Sequence, residues 1–217
     1  MRNLQKLNEP DILAKNKEQW LQDYLSDSDN KYKRTKYRHK EIKEALKQET
    51  GDKCIYCESK IGHNTPGDIE HKIPTSKNKT LHFTWHNLTI ACTECNRRKN
   101  DYYQEEKEFL DPYEDDVESL IEHYGATVGW KSGESRAEIS VKILELHNST
   151  RTSLIFRKIE KIEDLNNVVE RYKKESNPMI KQLMKKQLEK MSDRKSEYSA
   201  MVMSILKSKN ILKTIQQ

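Results

Sequence analysis

Apolar residues near the start of the chain recur at helical spacing. Leu13, Trp20, Leu21, Tyr24 and Leu25 predict a helix from about Pro10. Asp27 to Asn30 is a polar break. A second helix is expected to run to Thr50, with Ile42, Ala45 and Leu46 inward and Gly51 as its C-terminal stop. From Lys53 to about Asp101 the pattern shortens. Gly62, Pro66, Gly67 and Pro74 break it into brief runs, the texture of a small α+β unit. Beyond Phe109, Asp111-Pro112 marks a turn, and Val117 to Trp130 predicts a short strand pair around Gly125 and Gly129. Ile139, Ile143, Leu144 and Leu146 then begin helical patterning that continues to the end, interrupted near Asn177-Pro178. The chain thus divides into an N-terminal helical segment (1–51), a small unit dense in potential ligands (52–110) and a hairpin followed by helices (111–217).

Composition changes this picture in two ways. Only 34% of the 217 residues are hydrophobic and 35% are charged, so a large core is excluded and a metal is a natural stiffener. Net charge is +5, a mild excess that permits a nucleic-acid partner. The excess is concentrated late: Arg171 to Gln217 holds twelve Lys/Arg against four Asp/Glu. Met1 to Leu13 carries Glu9 and Asp11 and lacks an apolar run, so no secretory signal is expected. No stretch approaches the ~18 apolar residues of a membrane span, and a cytoplasmic protein without membrane contact is expected.

That compartment is reducing, which bears on the cysteines. Cys54-x-x-Cys57 and Cys92-x-x-Cys95 are two CxxC pairs, each able to present two thiolates to one tetrahedral ion. Two disulfides, or four unrelated buried cysteines, are the plainer alternatives. The double pair accounts for every cysteine and favours one zinc site. Four protein ligands close such a site, so this zinc is expected to be structural and the catalyst to lie elsewhere.

Around the pairs stand Asp68-Ile-Glu-His71-Lys-Ile-Pro74, Trp85-His-Asn-Leu88 and Cys92-Thr-Glu-Cys-Asn-Arg-Arg-Lys99. Glu70-His71, Asn87 and Asn96 resemble the three blocks of the HNH endonucleases, in the variant whose third block ends in Asn. The interleaved CxxC pairs match the zinc-containing branch. The resemblance implies an α+β fold: a treble-clef-like ββα-metal core at 52–110, flanked by the N-terminal helices and the mostly helical C-terminal region. It implies His71 as general base, Glu70 and Asn96 as ligands of a catalytic Mg²⁺ or Mn²⁺, and Asn87 as the brace of the loop that orients His71. The residue types suit the reaction. Phosphodiester hydrolysis needs a base near neutrality and a hard cation for the developing negative charge. One detail resists: Glu70 and His71 are neighbours, and neighbours in a regular strand face opposite ways. Asp68 shares Glu70's face and is a second candidate ligand. His63, His82 and His86 are expected to be bystanders.

Lys99 is expected to meet a phosphate near the metal, with Arg97 and Arg98 as further contacts or a solvated face. The basic run Lys31 to Lys40, interleaved with Tyr32 and Tyr37, suits either phosphate contacts with base stacking or a plain soluble surface. The acidic stretch Glu105 to Glu118 is expected at the surface or facing a partner. Gly125-Ala-Thr-Val-Gly129-Trp-Lys131 has its second glycine one residue early for a phosphate-binding loop, so no ATP site is expected here.

The likeness extends further. Arg2-Asn-Leu-Gln-Lys6 with Glu9-Pro10, Cys54-Ile-Tyr-Cys-Glu58, Trp85-His-Asn-Leu88, and the segment Ile139 to Asn148 with Arg157 resemble the HNH nucleases of the Septu anti-phage system, the PtuB family, and retron-associated relatives. This implies a DNA-cutting subunit working beside a PtuA-like ATPase, with the C-terminal region (111–217) expected to bind that partner. A ribonuclease of the same fold, or a non-catalytic zinc module that only binds nucleic acid, are the alternatives.

Overall fold

A computed structural model describes residues 1–62, 67–105 and 108–212; His63 lies outside them. The N-terminal helix α1 spans Asp11–Ser26 and ends at the expected polar break. Asn30 then accepts from the amides of Tyr32 and Lys33 and caps a one-turn helix α2, Lys31–Arg34. A tight turn at Lys36–Arg38 leads to α3, Lys40–Thr50. The expected second helix is therefore broken at His39, whose extended backbone (ψ 143°) and ring nitrogen restart it by capping Glu41. Gly51 ends α3 with φ +64°. A Cβ there would lie 2.8 Å from the Lys195 Cα, so only glycine allows the C-terminal segment to press against this turn.

The small unit contains strands β1 (Asp68–His71) and β2 (Leu88–Ala91) and helix α4 (Thr93–Lys99). The strands pair antiparallel, Asp68 opposite Ala91 and His71 opposite Leu88. All of β2 is buried, with α3 packed on it. Beyond this unit, α5 (Val117–Leu120) precedes the expected hairpin, β3 (Ile121–Tyr124) with β4 (Thr127–Trp130). Thus Gly125 to Lys131 forms a hairpin turn and strand. Helix α6 (Ser135–Ile143) packs on β4. Three helices follow: α7 (Thr152–Lys174), α8 (Pro178–Ser192) and α9 (Ser199–Ser208). Asn177 caps α8 at the predicted interruption, with Pro178 in the first turn, where its missing N–H costs nothing.

Two apolar cores result. The first takes Leu13 and Ile42 from the N-terminal helices, Leu88 and Ile90 from β2, and Val141 and Leu144 from the region of α6. All three sequence segments therefore share one core. The second belongs to α7–α9, through Leu165, Val169, Leu188, Val202 and Leu206. Lys6 clamps the first core from the edge. Its ammonium bonds Glu49 (3.1 Å) and the Leu88 carbonyl (2.7 Å) and sits 3.8 Å from the Trp85 ring. The acidic stretch is knitted inward: Asp111 pairs with Lys72, Asp115 with Arg136, and Glu118 with Arg2 and Arg194. Among the described residues no helix is long and apolar enough to cross a membrane.

Candidate active site

The four cysteines meet. The sulfurs of Cys54, Cys57, Cys92 and Cys95 all lie within 4.8 Å of one another. Cys92 is also the N-cap of α4, its sulfur accepting from the Cys95 amide. Hydrogen bonds from the Cys54 thiol and its neighbours pull Cys57 and Cys92 toward the thiolate. Arg151, only 7% exposed, donates to Cys95 Sγ (3.3 Å) and to the Leu144 carbonyl (3.1 Å). Four soft sulfurs in a closed cluster fit a tetrahedral dication such as zinc. Such a centre carries two net negative charges, and Arg151 supplies a buried positive charge beside it.

The cluster fixes the start of α4, and α4 then faces β1. Asn96 donates to Asp68 Oδ2 (3.4 Å). One turn on, Lys99 pairs with Glu70 (2.5 Å) and donates to the His71 carbonyl (3.0 Å). Asp68 and Glu70 share the α4 side of the strand, as alternation requires. Burial pushes the Glu70 carboxyl up, and the Lys99 ammonium pulls it back.

His71 turns the other way. Its Nε2 donates to the His82 carbonyl at 2.9 Å. A carbonyl oxygen only accepts, so the Nε2 carries the proton and the Nδ1 carries the lone pair. Burial, with His82 nearby, lowers its pKa to about 3, so the ring is neutral at neutral pH. The Tyr37 ring stands edge-on to it at 4.7 Å. Asn87 holds the loop between the strands. Its Oδ1 accepts from the Ile73 amide (2.8 Å), and its Nδ2 donates to the carbonyls of Ile73 (3.0 Å) and Leu81 (3.2 Å).

Residues 54–102 match the HNH endonuclease family. The chain carries an HNH endonuclease domain. It is also similar to two proteins named Septu protein PtuB. One, from Bacillus mycoides (strain KBAB4), is 28% identical over 155 residues, covering 57% of this chain. The chain spans about half of that relative's length, 52%. The other, from Bacillus thuringiensis, is 26% identical over 217 residues, covering 95% of this chain and 82% of that protein.

Within the HNH domain, several residues stand elsewhere than the sequence suggested. Lys99, expected to meet a phosphate, is 1% exposed and committed to Glu70 and His71. The buried carboxylate required a cation, and Lys99, on the same helix face as Asn96, supplies it. Asn96 meets Asp68 rather than Glu70. Arg98 is tied to Glu94 and Glu145, while Arg97 pairs with Glu94 and keeps an exposed side chain. Tyr37, a stacking candidate for bases, is buried against His71, whereas Tyr32 is 77% exposed. His86 is exposed, but His82 is buried and stacks on His71, ring centroids 4.7 Å apart and planes 7° apart. Its place between Thr75 and the apolar Phe83 and Trp85 was the available signal.

Proposed function

We propose that this HNH domain hydrolyses phosphodiester bonds in DNA, as the nuclease of a cytoplasmic anti-phage complex with an ATPase partner. The observation that carries the chemistry is the bond from His71 Nε2 to the His82 carbonyl, which leaves the Nδ1 lone pair as a proton acceptor. In this reading the scissile phosphate sits at the end of β1, where His71 closes the strand, and is met by the imidazole from one face and by Asp68 and Asn96 from the other; His71 takes the proton of the attacking water. A new P–O bond forms as the bond to the leaving 3′ oxygen breaks. Asp68 and Asn96 offer hard oxygen donors suited to Mg²⁺ or Mn²⁺, and such an ion would offset the charge on the phosphoryl and leaving oxygens. Glu70 lies behind them, held by Lys99. Asn87 keeps the loop in place, and zinc on the four cysteines staples the frame. Arg97, with its exposed side chain, is a candidate contact to the nucleic-acid backbone. The DNA target, the defence role and the ATPase partner rest on the likeness to the Septu nucleases.

The test is a cleavage assay with labelled DNA and RNA in parallel. It is run with Mg²⁺ or a chelator, and with and without the neighbouring gene's product. Metal-dependent cutting of DNA is expected, and His71→Ala should lower it by ~10²–10⁴-fold while zinc content stays intact. Undiminished cutting by that variant refutes the base assignment. Cutting of RNA alone overturns the choice of substrate.

A further inference from the structure

The N-terminal helices reach the catalytic base through a stack of three rings. Tyr24, in the last turns of α1, stacks on His82 with centroids 4.3 Å apart and planes 21° apart. His82 stacks in turn on His71. Tyr24 and His82 are 3% and 2% exposed. The His82 ring is fixed at both nitrogens. Its Nε2 donates to the Arg34 carbonyl at the end of α2 (2.8 Å), and its Nδ1 accepts from the Thr75 hydroxyl (2.9 Å). Tyr37 and Phe83 close the ring's edges at 4.9 and 4.7 Å.

These contacts bear on one atom. The His82 carbonyl is the group that holds the proton of His71 on Nε2. It belongs to the residue that ends a short 3₁₀ turn, Lys79–Leu81, in the loop between the strands, where the His82 amide donates to the Lys79 carbonyl at 3.3 Å. That bond holds the amide, and the ring's anchors hold the rest of the residue: Arg34 on one side, Thr75 on the other, and Tyr24 across its face.

We propose that His82 and Tyr24 are positioning residues for His71: they aim the His82 carbonyl and so select the tautomer that presents Nδ1 to water. The N-terminal helical segment is then a working part of the active site. Any event that moves α1 or α2 changes the base without touching the metal ligands. This proposal rests on the reading of His71 as the base.

The experiment compares His82→Leu, Tyr24→Leu and Tyr24→Phe in the full chain, with thermal unfolding run beside each. His82→Leu removes both ring anchors. Tyr24→Leu removes the stack but keeps apolar bulk, and Tyr24→Phe keeps the stack. The two leucine variants should lose ~10–100-fold in kcat at unchanged KM, with Tyr24→Phe restored to near the parent. Nitrogen-15 spectra of the imidazoles supply a readout independent of cutting. His71 should show a single Nε2–H tautomer in the parent and in Tyr24→Phe, and a mixture in the leucine variants. Folded leucine variants with an unaltered His71 tautomer, or a loss that appears wholly in KM, overturn the proposal. Should His82→Leu fail to fold, the Tyr24 pair decides alone. His71→Ala that still cuts sinks the base assignment instead, a separate result.

Discussion

The stretch from Lys53 to Lys99 and the helices α7–α9 are held together by different forces. Among its described residues the first contains two four-residue strands, one seven-residue helix and two three-residue 3₁₀ turns, too little regular structure to carry its own core. Polar anchors do the work: four sulfurs drawn together, the Asn87 amide bonded to Ile73 and Leu81, and the Lys99 ammonium between Glu70 and His71. The second region has helices of 23 and 15 residues and a core of Leu165, Val169, Leu188 and Val202, each fully buried. There, periodic apolar contact suffices. Directional bonds fix atoms more closely than apolar contact does, and the groups proposed as catalytic sit in the region built that way.

Cys92→Ser should break this contrast most sharply. Metal-coupled folding of such sites is worth ~10 kcal/mol, so the variant should lose zinc and the order of residues 53–99. Circular dichroism should still show most of the helical signal of α7–α9. A stable, metal-free and active variant would contradict the staple. Leu165→Ala attacks the other region and should cost ~2–5 kcal/mol in denaturant unfolding, with metal content unchanged. Zinc loss in that variant would mean that the two regions stand or fall together. Asn87→Ala leaves the part-buried Ile73 amide and carbonyl without their partner, while the Leu81 carbonyl keeps the Thr84 amide, and should cost ~1–3 kcal/mol. Hydrogen exchange at the Ile73 amide should quicken while the α8 amides stay protected; an unaltered rate at Ile73 would show that the loop needs no such anchor. Asn177→Ala removes the cap of α8 and should cost only ~1 kcal/mol, with cleavage unaffected. A drop in cutting there would tie the helical region to catalysis.

The same contrast explains what was legible in the sequence. Local signals read well: the break at Asp27–Asn30, the hairpin around Gly125, the restart at Asn177-Pro178, and the CxxC pairs, whose spacing is itself the geometry. Asn87 was singled out through resemblance, as the brace of the loop that orients His71; it makes three hydrogen bonds, to Ile73 and Leu81. The inward turn of Lys99 was not read, because it depends on Glu70 facing α4 across a turn of tertiary structure. The stack of Tyr24, His82 and His71 joins residues from separate elements, and no periodicity marks it. Arg151 beside Cys95 was invisible for the same reason: nothing in the pattern of α7 says that the cation just before it is buried. The segments 1–51, 52–110 and 111–217 were drawn from changes of sequence texture alone. The first core nonetheless crosses both boundaries, since Leu13, Ile90 and Val141 share it.

The hairpin of β1 and β2 is only four pairs long, and its alternation assigns acids to one side and imidazole to the other. Misalignment by a single residue would send Asp68 and Glu70 toward Tyr37 and swing His71 under α4. So brief a ladder has little capacity to correct itself. Alignment is guarded from outside the strands, by the cysteine knuckle at one end and the tethered loop at the other. An insertion of one residue between Ile73 and Asn87 is therefore far more dangerous here than a longer one on the surface of α7: it shifts the phase of the chemistry while sparing the fold.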